Sequence, residues 1–297
     1  MTDGVIVARG LLGAADVGDG PTDEQRSVIT LLLHGSFGSD ADVATLDPLG
    51  PDELAAHVDT DDHKRVVDLL VLIEYCRHPG DPAQADRVEE YARALREDNP
   101  FLLVARDALV ATQAEVMDDW SRFRDPEQLE PGAADAETGL GARLRGLADC
   151  APGTLGRAYF DFYDRWSIPF PGEEGGGTAT LVVHDFTHVL AGYEPDAPGE
   201  LALQAMLTSA TGFEHHFAGF VASLSLYEAG KFDILGITST VGALDRPGAA
   251  AELAEGFRRG SQCVCDFSAI DHLARAEEPL ERVRADCGIP ARGEPAT

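Results

Sequence analysis

The sequence predicts an all-α protein, and three observations carry that expectation. Apolar residues recur at helical spacing through most of the chain. Proline and glycine punctuate it at intervals suited to short helices, and strand-like alternation is almost absent from the N-terminal part. The first clear helix start is Pro21-Thr22-Asp23-Glu24-Gln25, with Thr22 as N-cap and Gln25 placed to complete a capping box ahead of Val28, Ile29, Leu31, Leu32 and Leu33. That helix is expected to end near His34-Gly35. Val66, Leu69, Leu70, Leu72 and Ile73 continue the helical spacing until Pro79 and Pro82 interrupt it, and two amphipathic segments follow, from Gln84 to Leu95 and from Phe101 to Val116. Pro126 to Gly139 holds one large apolar side chain, Leu129, among prolines, glycines and acidic residues, so little of it can be buried. This divides the chain into an N-terminal helical region (1–125), a linker (126–141) and a second helical domain (142–297).

Beyond the linker, Ala142 to Cys150 reads as a short helical piece, and Pro152-Gly153-Thr154 starts a helix bearing Tyr159, Phe160, Phe162, Tyr163 and Trp166. Those aromatics are expected to pack in a core. Gly175-Gly176-Gly177 has neither a preceding strand nor a following Lys-Ser or Lys-Thr, so it reads as a flexible connection and not as a phosphate cradle. Further helices are expected from Thr180 to Tyr193, from Gly199 to about Tyr227, from Ala249 to Gly260, and from Leu280 to Asp286. No internal repeat is present.

Bulk properties exclude several roles. With 297 residues and 44% apolar content the chain can bury a substantial core. A net charge of -29 would repel nucleic acid and anionic membrane surfaces alike. Cys76, Cys150, Cys263, Cys265 and Cys287 form no C-x-x-C pair, which argues against both a disulfide framework and a zinc ribbon and fits a reducing cytoplasm. No apolar run reaches the ~20 residues a bilayer needs, so membrane association is expected to be peripheral at most.

The residues with chemistry to offer are concentrated in one helix. Val182, Val183, Phe186, Val189 and Leu190 make the segment from Thr180 to Tyr193 apolar, yet His184 and His188 interrupt it one turn apart on one face, with Asp185 at the edge. Two imidazoles at that spacing reach a single ion, and a cation satisfies buried polar groups that would otherwise be costly. A fourth ligand must come from another element, because Pro195 and Pro198 end the helix; Glu200 opens the next one. The mixed nitrogen and oxygen set suits zinc, iron, manganese or cobalt. Compared with H-E-x-x-H peptidases, Asp185 is shorter than the catalytic glutamate and directly follows the first histidine, which suits a ligand better than a base. The histidine–aspartate pair also resembles that of the HD-type phosphohydrolases, whose other ligands have no placeable counterpart here.

The pattern H-D-x-x-H-x(11)-E resembles the motif of the ubiquinone (coenzyme Q) biosynthesis protein family known as COQ four. Ala151-Pro152-Gly153-Thr154-Leu155-Gly156-Arg157-Ala158-Tyr159 is similar to the segment preceding that motif. Phe257-Arg258-Arg259-Gly260 and Pro279-Leu280-Glu281-Arg282-Val283-Arg284, closing at Gly288-Ile289, are similar to the family's C-terminal signature. The resemblance covers about half the chain, from Cys150 to Pro290. It implies an all-helical domain, a divalent metal held by His184, Asp185, His188 and Glu200, and an apolar groove for a polyprenyl tail. It also implies a role in coenzyme Q assembly, in oxidative removal of the ring carboxylate of a prenylated hydroxybenzoate and in organising partner enzymes. The region from His63 to Leu109 has a fainter resemblance to TerB-type helical domains.

Three readings of function follow. The first is a metal-dependent decarboxylase acting on a lipophilic aromatic acid through His184, Asp185, His188 and Glu200. The second is a prenyl-lipid-binding scaffold, with or without homodimerisation, and the third is a metal-dependent tailoring enzyme of specialised metabolism. For substrate contacts, Arg157 and the pair Arg258 and Arg259 are candidates to bind a carboxylate or diphosphate, with an ordinary surface salt bridge as the alternative for each. Phe213 and Phe217, with Phe220 and Leu224, lie on one face of the long helix expected after Glu200 and would suit a prenyl chain. Glu214-His215-His216 would stand roughly 21 Å from Glu200 if that helix is continuous, too far to share an ion. His34 and His272 are isolated and are expected to be structural.

Overall fold

The computed structural model describes residues 2–97, 139–211, 214–231, 233 and 237–293. Among them are twelve α-helices and no strand. In chain order these are α1 (Gly4–Ala15), α2 (Asp23–Phe37), α3 (Pro51–His57), α4 (His63–Tyr75), α5 (Pro82–Ala94), α6 (Leu140–Arg145), α7 (Leu155–Trp166), α8 (Thr180–Ala191), α9 (Ala197–Thr211), α10 (Glu214–Ser223), α11 (Ala249–Gly260) and α12 (Leu280–Asp286). The all-α expectation holds. None of the described helices is long and apolar enough to cross a membrane. The expected helix from Phe101 to Val116 and the linker residues 126–138 lie outside the described residues.

The described residues fall into two compact units, each discontinuous in sequence: 2–97 with 196–261, and 139–195 with 262–293. In the first, α4 is the central helix, buried at every position from Val66 to Tyr75. Around it pack α1, α2 and α5. The start of α2 is the capping box its sequence predicts: Gln25 N–H donates to Thr22 Oγ1 (3.1 Å) and Thr22 N–H to Gln25 Oε1 (3.0 Å). Its end lies beyond the expected His34-Gly35. The helix runs to Phe37 and stops at Gly38, whose φ of 65° the absence of a side chain makes cheap. Helix α1 has no counterpart in the sequence reading. Asp3 caps it, accepting from Val5 N–H (2.9 Å), but its apolar residues are buried on nearly all sides, so no amphipathic stripe announces it.

Two glycines set the closest helix contact in this unit. A Cβ on Gly256 would stand 2.3 Å from the Ala202 carbonyl oxygen, and one on Gly260 would stand 2.2 Å from that of Met206. The glycine spacing on α11 therefore lets its backbone lie directly against α9. The expected continuous helix from Gly199 to Tyr227 is corrected here: α9 ends at Thr211 and α10 begins at Glu214. Thr208 Oγ1 donates to the His216 carbonyl (3.2 Å), although in a straight helix eight residues would separate them by about 12 Å. Gly219 likewise faces Gln204, with a Cβ there 2.7 Å from Oε1. The chain doubles back, so the 21 Å separation inferred for a continuous helix does not apply.

In the second unit, α7 packs against α8 and both meet α12. Thr154 caps α7, and Leu155 N–H donates to the Glu278 carbonyl while Leu280 N–H donates to that of Gly153 (2.9 Å each), tying the C-terminal segment to the start of α7. Helix α8 stops at Ala191, two residues short of the expected Tyr193, because Gly192 turns left-handed (φ 76°). Arg284 on α12 donates to the Leu190 and Val189 carbonyls (2.9 and 3.0 Å), satisfying acceptors that the helix end leaves open. The glycine run forms a closed turn: Gly172 N–H donates to the Gly177 carbonyl (3.1 Å), and a Cβ on Gly176 would collide with the Phe170 carbonyl.

Candidate metal centre

Helix α8 places His184 and His188 one turn apart, as their spacing predicts, with Nε2 of one 3.1 Å from Nε2 of the other and the rings nearly perpendicular. Two nitrogens each about 2.05 Å from one ion stand about 2.9 Å apart at a right angle and about 3.3 Å apart at the tetrahedral angle. The observed separation lies between these, so the pair fits two adjacent positions around a transition-metal ion with little movement. His188 is also oriented for that role. It is 1% exposed, its Nδ1 lies 3.1 Å from the Tyr193 carbonyl, and Phe162 stacks on its ring. A carbonyl can only accept, so the proton belongs on Nδ1 and the lone pair on Nε2. The left-handed turn at Gly192 brings the Tyr193 carbonyl to that position.

Asp185 accepts a very short hydrogen bond from the Tyr163 hydroxyl of α7. Burial first, and the neighbouring Asp185 second, raise the Tyr163 hydroxyl far above its ordinary range, so it remains a donor. Tyr163 belongs to an aromatic cluster: its ring stacks on Phe170 (4.6 Å between centroids), and Tyr159 stacks on Phe186 (4.0 Å). His272 also stacks on Phe186 and its Nε2 lies 2.9 Å from the Phe267 carbonyl, the structural role expected of it. Burial lowers its pKa.

Beside His188 opens a cavity of about 450 Å³, within the size range of small-molecule sites. Phe162, Val189 and Tyr193 give it apolar wall, while Arg165 and Arg284 line it together with Asp161 and Glu194, so its charge is mixed. Sequence reasoning missed Arg165 and quoted Arg284 only as part of a terminal motif. Their proximity to His188 arises from the packing of α7 and α12 around α8, which no local spacing encodes.

The other predicted site residues are carried by several further elements. Arg157 donates to Asp161 (2.7 Å) and to the Ala148 carbonyl (3.3 Å), in the same unit as the histidine pair. Glu200 lies in the first turn of α9, its N–H donating to the Asp196 carbonyl (2.8 Å). Phe217 is fully buried in the first unit with Lys64 over its ring, and Phe220 is buried edge-on to Phe257. Phe213 lies outside the described residues.

The chain matches no protein-family model and no curated protein. Among solved structures it is similar to a protein of Nostoc punctiforme PCC 73102, provisionally named a ubiquinone biosynthesis protein, at 18% identity over 79% of this chain and 100% of that one, with a TM-score of 0.35. A score that low carries no argument about fold or function. The functional reading therefore stands on the histidine pair, its cavity and the sequence motif that contains them.

Proposed function

We propose that the protein is a metal-dependent enzyme of quinone biosynthesis, acting on a lipophilic, prenylated aromatic acid and removing its ring carboxylate oxidatively. The observation that carries this reading is the pair of Nε2 atoms 3.1 Å apart, with the His188 tautomer set by the Tyr193 carbonyl and His188 lining a 450 Å³ cavity. His184, Asp185, His188 and Glu200 hold one divalent ion in this proposal; the Glu200 assignment rests on the H-D-x-x-H-x(11)-E spacing. A bound ion would supply Lewis acidity toward a benzoate-type carboxylate and stabilise charge developing on the ring.

The chain's own residues bind and orient. Phe162 and Val189 give an aromatic ring an apolar surface beside His188, and Tyr163 fixes the Asp185 carboxylate through its hydroxyl. Arg284, anchored to the end of α8, holds the cavity wall against that helix. In the net reaction the ring carboxyl leaves as carbon dioxide and a hydroxyl takes its place, with dioxygen as oxidant and a two-electron donor completing the balance. Phe217 and Phe220 are closed inside the first unit, so a prenyl tail would reach them only by parting helices.

The test follows carboxyl-labelled prenylated 4-hydroxybenzoates of several tail lengths to labelled carbon dioxide, with a two-electron donor such as ascorbate supplied and with and without dioxygen. The expected result is oxygen-dependent release by metal-loaded protein and its loss in Glu200→Gln. No release by well-metallated protein across ring and tail variants would shift the reading to a prenyl-lipid scaffold or to other metal chemistry.

A further inference from the structure

We infer that the first unit holds a second divalent-cation site, formed by Glu24, His78 and Glu228 and distinct from the histidine pair on α8. Three separate elements supply it. Glu24 lies in the first turn of α2, His78 in the turn after α4, and Glu228 at the end of the π-helical turn Leu224–Glu228 that follows α10. Each offers one ligand atom, and the three atoms lie within 4.8 Å of one another. His78 Nε2 is 2.7 Å from Glu228 Oε1 and 3.6 Å from Glu24 Oε2. Adjacent ligands of one ion stand about 2.9–3.3 Å apart, so the two separations from His78 bracket the required distance.

Burial makes the cluster more than a surface coincidence. Glu228 is fully buried and the Glu24 side chain is 10% exposed. Among the described residues neither carboxylate has a lysine or arginine partner, and Oε1 of Glu24 is buried with no hydrogen-bond partner there. Two carboxylates facing each other out of water are unfavourable unless a positive charge or a shared proton lies between them. The Glu228 carboxylate is already oriented, because Oε2 accepts from Leu244 N–H (2.9 Å) while Oε1 faces His78. Glu24 also lines a cavity of about 330 Å³ with Leu244, Asp245 and Arg246, which leaves room for water or a small anion to complete the coordination.

One imidazole and two carboxylates suit manganese, iron(II), cobalt or zinc, whereas calcium takes oxygen ligands alone. The competing occupant is a proton. Burial, then the hydrogen bond and charge of Glu228, push the Glu24 carboxyl up to about 9, so the metal-free pair retains one. Metal binding would displace it.

The experiment uses the full chain carrying His184→Ala and His188→Ala, purified without a histidine tag, stripped with chelator and titrated with cobalt(II) at pH 8. Visible absorption and equilibrium dialysis report binding. The expected result is one bound equivalent, lost on adding Glu24→Gln and lost again with His78→Ala, while Asp245→Asn retains it. His78 is partly exposed and contributes no structural cap, so its variant keeps the test informative if Glu24→Gln fails to fold. No binding in the double-histidine background overturns the proposal. So does binding that survives both Glu24→Gln and His78→Ala, since the carboxylates would then share only a proton. Either result leaves the reading of the α8 site untouched, because that site is already disabled in every variant.

Discussion

Adding one methyl group at Gly256 should destabilise the first unit, and the structure gives both the sign and the scale. A Cβ there would stand 2.3 Å from the Ala202 carbonyl oxygen and 3.1 Å from its carbon. Ordinary contact lies about 1 Å further out, and the obstacle is backbone inside α9, which cannot rotate aside as a side chain can. Alanine favours a helix interior over glycine by about 1 kcal/mol, whereas overpacking a tight contact costs about 1–3 kcal/mol. The net expectation for Gly256→Ala is a loss of up to about 2 kcal/mol, at the upper end because the obstacle is backbone. Gly260→Ala meets the Met206 carbonyl in the same seam at 2.2 Å, and one outward movement of α11 relieves both clashes. The double variant should therefore lose less than the sum of the singles. Urea unfolding of the full chain followed by circular dichroism measures all three. If Gly256→Ala is more stable by about 1 kcal/mol, helix propensity alone is acting and the close approach of α9 and α11 is wrong.

Other consequences follow from single contacts. Asp68 is buried 3.0 Å from Lys64, and burial raises its pKa from 3.8 to about 6. The folded chain thus binds the extra proton between those values, and stability falls as pH rises through that window. Asp68→Asn should stabilise the chain more at pH 8 than at pH 5, by about 1 kcal/mol; equal effects at the two pH values in urea titrations would contradict this. Tyr163→Phe removes the donor that orients Asp185 and should weaken metal binding at the α8 site about 10–100-fold with helix content unchanged. A competition titration giving wild-type affinity would show that Asp185 needs no such support. Thr22→Ala breaks the α2 capping box and should cost about 1 kcal/mol in urea, and a smaller change than a few tenths would mean that tertiary packing alone holds that end.

Local signals were legible where one short stretch carries the whole cause. The capping box at Thr22, the helix bounds Ala249–Gly260 and Leu280–Asp286, and the one-turn spacing of His184 and His188 all appear where the residues place them. Helix α1 escaped because burial on nearly all sides erases the periodicity that marks a surface helix. The division between α9 and α10 escaped because apolar spacing continues through it, and tertiary contacts such as the Thr208 to His216 hydrogen bond are what reveal it. The cluster of Glu24, His78 and Glu228 could not be read from spacing, since 150 residues separate the last two. In the sequence Glu24 is simply an acidic residue in a first helical turn. Tyr163 was read as core packing, and its hydroxyl on Asp185 depends on how α7 meets α8, a tertiary fact with no local signature.

The central claim is that His184 and His188 hold a metal ion. Its most direct test is elemental analysis of full-length protein purified without chelators or a histidine tag, comparing wild type with the His184→Ala/His188→Ala variant at matched helix content. The account predicts that the variant contains one equivalent of divalent metal fewer per chain than wild type. Equal metal content in the two folded proteins would contradict it, because the 3.1 Å approach of the two Nε2 atoms would then be a hydrogen bond between imidazoles and nothing more.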